Sequence, residues 1–336
     1  MRRRVLACGC LAFILLGTTS SALAAPNRAG AQKHRTAHRK ASLPRDRSWT
    51  SRSLPESLDL LRPGPREVSA VAAVLMDANT GEVLYARNPD EPLPPASVTK
   101  ILTALVVLER GRLADTVVVS QEAARVGGYQ LGLRRGQQIS LGDLLGAILI
   151  RSANDAAVAA AEHVGDGLAG FVDLMNAKAE ALGMQHSHFA NPHGLDEPGH
   201  FTTARDMAVL TRVALENPHF AGLVRTRELT VTIWNPGRRG PMIARARLIQ
   251  GHNKLLGRLD GADGVKTGYT GAAGRCLVAS ASRGNRRMIA VLLNDPNRWA
   301  DAASLLEYGF ESSGSAAGVR DGDHPRPFAW AAVGRN

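Results

Sequence analysis

The chain has 336 residues, of which 44% are hydrophobic and 4% aromatic, and its formal net charge is +11. This length and apolar content suffice for one large or two modest globular domains with a real core. The charge lies mostly near the amino terminus, where residues 25–56 carry eight Lys or Arg against Asp46 and Glu56. Nucleic acid is nevertheless not an expected partner, because the chain carries an export signal, described next, and has only 4% aromatic residues.

The first 24 residues have the pattern of an export signal. Three arginines precede an apolar run over residues 5–17, and small residues end at Ala24. The apolar run is too short to span a bilayer comfortably. We expect cleavage after Ala24 and a soluble exported protein in the periplasm. Cys8 and Cys10 leave with the signal, so Cys276 remains alone and no internal disulfide is expected.

Residues 25–60 form a basic stretch without helical or strand periodicity. Such a composition predicts a disordered linker. Its charge would attract anionic envelope polymers electrostatically. A catalytic domain is then expected over residues 61–312, and a disordered tail over residues 313–336.

Apolar periodicity predicts the elements of the domain in chain order. A turn-rich segment at 77–81 separates two alternating runs, 69–76 and 82–86, which predicts a β-hairpin. Helical spacing follows at 97–110, 141–150, 155–164, 171–182 and 204–216. Strands are predicted at 228–234, 244–249, 264–268, 276–281 and 287–293, and a closing helix at 297–310. We expect an α+β fold in which both chain ends build one sheet around an inserted helical block.

Three short strings carry the chemistry. They are Ser97-Val-Thr-Lys100, Ser152-Ala-Asn154 and Lys266-Thr-Gly268, in this order. Each string alone is weak evidence, because it occurs by chance in many proteins. The three strings in this order are much stronger evidence for a catalytic site. Positions three apart share a helix face, so Lys100 can reach the Ser97 hydroxyl. Burial or a neighbouring cation would lower the pKa of Lys100 enough to make it a base.

Further sequence blocks accompany these strings. They are Pro94–Lys100, Arg151–Ala157, Phe171–Asn176, Asn191–Leu195, Gly251–Leu256 and Asp263–Thr270. With them, residues 66–312 resemble a low-molecular-mass penicillin-binding protein, a serine D-alanyl-D-alanine peptidase of peptidoglycan. The resemblance implies the penicillin-binding/β-lactamase-like fold, with an antiparallel sheet and a mainly helical subdomain inserted into it. It implies peptidoglycan stem peptides as substrates and β-lactams as inhibitors, with neither cofactor nor metal.

The resemblance also implies four catalytic residues. Ser97 would form the acyl-enzyme with the penultimate D-alanine, and Lys100 would take its proton. Ser152 would pass a proton to the leaving amine, and Asn154 would hold the substrate amide. More than one group has been assigned as the general base in sites of this kind, and Lys100 is the candidate for that role here.

Four residues of the third block would bind substrate. Lys266 and Thr267 would contact the carboxylate beside the scissile bond. Gly268 would let the substrate lie against the strand. The backbone N–H groups of Ser97 and Tyr269 would form the oxyanion hole.

Within the family, the compact size and the lack of an anchor resemble periplasmic endopeptidases that cut D-alanyl cross-links. The same site could still trim terminal D-alanine, so the sequence leaves the two activities open. Stem-peptide preference and oligomeric state also stay open.

The sequence disfavours several other functions. A class A β-lactamase would need a Glu-x-x-Leu-Asn loop, which does not occur between Asn154 and Lys266. An idle wall-binding protein would not need Lys100 beside Ser97. The segment 261–267 lacks the glycine spacing of a phosphate loop. Zinc is disfavoured because no cysteine joins the four nearby histidines, His186, His188, His193 and His200.

Overall fold

The computed structural model describes residues 68–237 and 240–315. The predicted signal peptide, the predicted basic linker and residues 316–336 of the predicted tail lie outside the described residues. No helix within the described ranges is long and apolar enough to cross a membrane.

Nine strands and seven helices build the described part of the chain. The strands are β1 Ala72–Asp77, β2 Val83–Arg87, β3 Thr116–Val118, β4 Gln138–Ser140, β5 Glu228–Asn235, β6 Ile243–Gln250, β7 Ala262–Thr270, β8 Gly274–Arg283 and β9 Arg286–Leu293. The helices are α1 Lys100–Arg110, α2 Leu141–Gly146, α3 Asn154–Val164, α4 Leu168–Ala181, α5 Ala204–Glu216, α6 Pro218–Val224 and α7 Arg298–Ser315. The α+β class is therefore confirmed.

The main sheet joins the two ends of the domain, as predicted. Its strand order is β2-β1-β9-β8-β7, and the neighbours are antiparallel. Alternating residues face opposite sides. Val74 and Val291 pack into the core shared with the helical block, and Leu75 and Leu292 pack on the side that α7 covers. Helical layers thus cover both faces of the sheet. The strand order places β7 at one of its edges.

A second sheet was not predicted. The strands at 228–234 and 244–249 do not join the main sheet; as β5 and β6 they pair with β3 and β4 in the order β3-β4-β5-β6. The prediction of a single sheet was wrong because alternation shows that a segment is a strand but not which strand it pairs with. The short strands β3 and β4 fall in a region where helical patterns dominate.

Helix α6 was also missed, although its signal is present. Pro218 occupies the first turn, and the Asn217 side chain accepts hydrogen bonds from the backbone N–H groups of His219 at 3.0 Å and Phe220 at 3.3 Å. Asn followed by Pro is a typical helix start. The predicted start of α5 is confirmed, since Thr203 caps it by accepting from Asp206 N at 3.1 Å.

Cys276 lies buried in β8 and is a free cysteine. Burial raises the pKa of its thiol to about 11. It is therefore protonated and behaves as the small apolar strand residue that the sequence predicted.

Candidate active site

Ser97 lies in a 3-10 turn, Ala96–Thr99, directly before α1. In a 3-10 turn, residues i and i+3 are stacked on one side. The Lys100 Nζ accordingly lies 3.0 Å from the Ser97 Oγ. The contact predicted from the spacing is present, although the serine precedes the α-helix and does not begin it.

The turn is held in a strained conformation. Ala96 has a φ of 50°, which side chains other than glycine rarely adopt. Gly194 packs directly on it, because a Cβ built at Gly194 would lie 1.9 Å from the Ala96 carbonyl oxygen. Only glycine allows the two backbones to come this close. The loop carrying Gly194 therefore packs against the turn that holds Ser97.

Lys100 is fully buried and has three hydrogen-bond acceptors. Its Nζ lies 3.0 Å from Ser97 Oγ, 2.7 Å from Asn154 Oδ1 and 2.5 Å from the His193 carbonyl oxygen. Burial and, second, the nearby Lys266 cation hold the pKa of Lys100 well below its usual value. A neutral amine is thereby favoured, and a neutral amine can accept the Ser97 proton.

A buried imidazole supports the same turn, and sequence reasoning did not assign it this role. His200 Nδ1 accepts from the Ala190 N–H at 2.9 Å, so its proton is on Nε2, which donates to Thr99 Oγ1 at 2.9 Å. The Thr99 hydroxyl in turn donates to the Ala96 carbonyl at 2.8 Å. Burial lowers the pKa of His200 to about 4, which keeps the ring neutral and this tautomer fixed.

Ser152 pairs with the second buried lysine. The residue has a φ of 62° at the end of a π-helical turn, Ala147–Arg151, which turns its side chain out of the helix path. Lys266 Nζ donates to Ser152 Oγ at 2.8 Å and to the Thr267 carbonyl at 2.9 Å. Burial, followed by the Arg298 cation, lowers the pKa of Lys266 to about 7.

Asn154 connects the two sides of the cleft. Its Oδ1 accepts from Lys100, and its Nδ2 donates to the Gly127 carbonyl at 2.7 Å. Its backbone N–H donates to the Tyr129 carbonyl at 2.7 Å. The segment around Tyr129 therefore forms one wall of the cleft.

The backbone of β7 forms the opposite wall. A Cβ built at Gly268 would lie 3.1 Å from the Ser97 nitrogen and 3.2 Å from the Pro95 carbonyl oxygen. Thr267 is half-buried and the Tyr269 side chain is 55% exposed. All eight residues predicted from the sequence are thus brought to one cleft.

The sequence of the domain also matches a known protein family. Residues 60–297 match the family model of D-alanyl-D-alanine carboxypeptidases, peptidase S11. The chain belongs to the D-alanyl-D-alanine carboxypeptidase family. This match is to a peptidase family and gives no support to the β-lactamase alternative.

Three relatives show how similar this chain is to known members of the carboxypeptidase family and to solved structures. D-alanyl-D-alanine carboxypeptidase DacF of Bacillus subtilis is 38% identical over 249 residues, 72% of this chain and 62% of DacF. The chain thus spans less than two thirds of that relative. The crystal structure of the Streptomyces K15 DD-transpeptidase has a TM-score of 0.68 and 29% identity, with 73% of this chain and 98% of that chain covered. A D-alanyl-D-alanine carboxypeptidase structure from Mycobacterium tuberculosis has a TM-score of 0.66 and 34% identity, covering 73% and 92%.

Arg298, like His200, is a candidate functional residue that sequence reasoning missed. Its side chain is 2% exposed, and Nη1 donates to the carbonyls of Gly268 at 2.6 Å and Cys276 at 3.0 Å. It therefore adds positive charge behind β7 and supports its edge. Burial lowers its pKa to about 10. A lone arginine at a helix start gives no sequence signal for this role.

His193 and His200, two of the four histidines in the 186–200 segment, have hydrogen-bond partners within the protein. Both ring nitrogens of His200 are hydrogen-bonded, and His193 Nδ1 accepts from the Leu195 N–H at 3.2 Å. Among the described residues, no group of three or more His, Cys, Asp or Glu is arranged to hold a metal ion.

Proposed function

We propose that this chain is a serine D-alanyl-D-alanine peptidase that acts on the stem peptides of peptidoglycan through an acyl-enzyme. The observation that carries the proposal is the pair of buried lysine–serine contacts, Lys100 with Ser97 and Lys266 with Ser152. Family membership and the carboxypeptidase names of its relatives support the same activity.

In the acylation step, Ser97 Oγ attacks the carbonyl carbon of the penultimate D-alanine. Neutral Lys100 accepts the hydroxyl proton as the C–O bond forms. The negative charge on the carbonyl oxygen is stabilised by the backbone N–H groups of Ser97 and Tyr269. The lowered pKa of Lys100 supports its role as the base.

In the collapse of the intermediate, the C–N bond breaks and the leaving amine needs a proton. Ser152 accepts a hydrogen bond from Lys266 Nζ and can relay that proton. Lys266, with Thr267, pairs with the carboxylate beside the scissile bond, and Asn154 orients the substrate amide. Water then attacks the acyl-enzyme and releases the peptide, with Lys100 as base. No cofactor or metal is needed for any of these steps.

β-Lactams offer a strained amide to the same serine, so we propose that they acylate Ser97. We also propose that the protein is exported to the periplasm and that its basic residues 25–60 contact anionic envelope polymers. Cross-link cleavage is proposed as an activity beside removal of terminal D-alanine.

The decisive experiment is labelling with a fluorescent penicillin, followed by digestion of a stem pentapeptide. Wild-type protein and a Ser304→Ala control, changed on α7 away from the cleft, should label and release D-alanine. Ser97→Ala should do neither while keeping its melting temperature. Wild-type protein that neither labels nor hydrolyses would instead support an idle wall-binding protein.

A further inference from the structure

We propose that the edge strand β6 binds the carboxylates of an extended leaving group, through Arg245 and Arg247, and thereby directs the enzyme to cross-linked stem peptides. This inference rests on the proposed peptidase function. It adds a leaving-side binding surface, which we call the β6 arginine face and define by these two residues.

Strand β6 leads directly into the cleft. Gly251 follows it, and a Cβ built there would lie 3.7 Å from the carbonyl oxygen of Ile150, two residues before Ser152. The next residue, His252, lies with its ring centroid 5.4 Å from that of Tyr129. The chain thus passes from β6 to the serine pair within a few residues.

The end of the cleft that β6 reaches is the carboxylate end. Burial and then the cations of Arg151, Lys266 and Arg298 lower the pKa of His252 to about 4. These charges act on His252 because they lie close to it. In the proposed mechanism, Lys266 pairs with the carboxylate of the departing residue, so whatever leaves must extend from this end.

The β6 arginine face is on the side of the second sheet that contacts the segment after Tyr129. Arg245 pairs in register with Ile233 and Arg247 with Val231, so their side chains point to the face on which Ile233 and Val231 are buried. Both arginines are nevertheless exposed, whereas Ile249 on the same face of β6 is buried in the core. Arg247 Nη1 donates to the Leu131 carbonyl, which ties β6 to the wall beside Tyr129.

These guanidinium groups have no acidic partner in the described ranges 68–237 and 240–315, where neither Arg245 nor Arg247 forms an ion pair. Arg134 and Arg135 are exposed in the neighbouring turn and add to the positive field. Arginine recognises carboxylates through paired hydrogen bonds. An acidic peptide is therefore the complementary partner.

The distance from the cleft to the two arginines distinguishes a departing D-alanine from a departing stem peptide. At about 3.3 Å per residue, Arg247 lies about 13 Å and Arg245 about 20 Å along the strand from Gly251. A single departing D-alanine spans only about 3.5 Å, whereas a stem of four or five residues spans about 13 to 18 Å. Only the leaving stem of a cross-link is long enough to reach Arg247, and the longest of these stems ends about 2 Å short of the Arg245 backbone, a gap that an arginine side chain can bridge.

The test compares two substrates on the same active site: a cross-linked muropeptide dimer and an uncross-linked pentapeptide monomer. The variants are Arg245→Gln, which removes no hydrogen bond found among the described residues, and Arg245→Gln with Arg247→Gln. Arg110→Gln is the matched control, because Arg110 is exposed at the far end of α1. Melting temperatures verify that each variant is folded.

We expect Arg245→Gln to leave the pentapeptide rate within about twofold, and the double variant to lower the ratio of dimer to pentapeptide kcat/KM by about three- to tenfold. A dimer whose leaving-stem carboxylates are amidated should be cut by wild-type and variant at equal rates. Added salt should slow wild-type cleavage of the acidic dimer more than that of the pentapeptide.

Equal effects on both substrates, or an unchanged rate on the acidic dimer, overturn the role of the β6 arginine face. Wild-type protein that cuts the pentapeptide but not the dimer overturns this inference and leaves the peptidase proposal intact. Protein that cuts neither substrate overturns both. Loss confined to binding of anionic lipid vesicles would assign the arginines to a membrane surface instead.

Discussion

Asp155 holds Leu131 across the wall of the cleft. Its Oδ1 accepts from the Leu131 N–H at 2.8 Å, and Oδ2 accepts from the N–H groups of Gly132 at 2.7 Å and Leu133 at 2.8 Å. Asp155 is in the first turn of α3. Its carboxylate also fixes the segment whose carbonyl at Tyr129 binds Asn154, so it supports the site without touching substrate.

Asp155→Asn should therefore weaken both stability and activity. An amide oxygen replaces one carboxylate oxygen, and an NH₂ group would face backbone N–H donors. Leaving such buried donors unsatisfied costs about 1 to 3 kcal/mol. We expect a lower melting temperature and a reduced acylation rate, measured by thermal denaturation and penicillin labelling. Asp173→Asn on α4 is the control, and full activity of Asp155→Asn would contradict the positioning role.

The hydrogen bonds from His200 to Thr99 and from Thr99 to Ala96 predict a difference between two substitutions of Thr99. Thr99→Val keeps the shape but removes the hydroxyl that links His200 to Ala96, whereas Thr99→Ser keeps it. We expect Thr99→Val to slow acylation of Ser97 about tenfold, equivalent to about 1.4 kcal/mol. Thr99→Ser should retain most of the rate. If the two variants acylate equally at equal folded fractions, the hydroxyl has no positioning role.

The two lysines predict opposite effects of pH on kcat/KM. Activity should rise as Lys100 loses its proton, because the neutral amine is the base, and its pKa lies well below the usual lysine value. Activity should fall as pH rises through about 7, where Lys266 loses the charge that pairs with the substrate carboxylate. A neutral thioester lacking that carboxylate should not show the alkaline fall. A profile with the same alkaline fall for both substrates would rule out this role for Lys266.

Gly268→Ala should impair catalysis more than folding. Its new methyl group would lie 3.1 Å from both the Ala96 Cβ and the Ser97 nitrogen, so the nucleophile turn or β7 must shift by a few tenths of an ångström. Small displacements of reacting groups are costly to rate. We expect slower penicillin acylation with a melting temperature close to wild type. Gly271→Ala, where a Cβ meets nothing within 4 Å, is the control. Unchanged acylation in Gly268→Ala would show that this close approach is unimportant.

The buried histidines predict sensitivity to acid. His193 and His200 have pKa values lowered to about 3 and about 4 by burial, whereas in the unfolded chain they titrate near their usual value of 6.5. The unfolded state then binds more protons, so stability is lost as pH falls from about 6.5 toward 4. Thermal melts across this range should show the loss. His200→Gln should flatten the slope, and an unchanged slope would contradict the assignment.

Much of the site could be predicted because short motifs specify local geometry. The three-residue spacing of Ser97 and Lys100 dictates their contact in any single helical turn, and the glycine at 268 is needed wherever a strand passes close to another backbone. Alternation identified the strands at both ends of the domain, and their union in one sheet was expected. The second sheet was not expected, because strand partners depend on contacts far apart in sequence.

The sequence alone determined the chemical groups, their order and the helical or strand character of the segments carrying them, since these depend on side-chain type and local spacing. The tertiary structure decided that Lys266 donates to Ser152, that Asp155 binds the 131–133 backbone, that His200 fixes the nucleophile turn and that Arg298 supports β7. Each of these contacts joins residues more than twenty positions apart. Burial in the folded core also sets the lysine pKa values, because the cost of charge depends on the surrounding protein and not on the neighbouring residues in the chain.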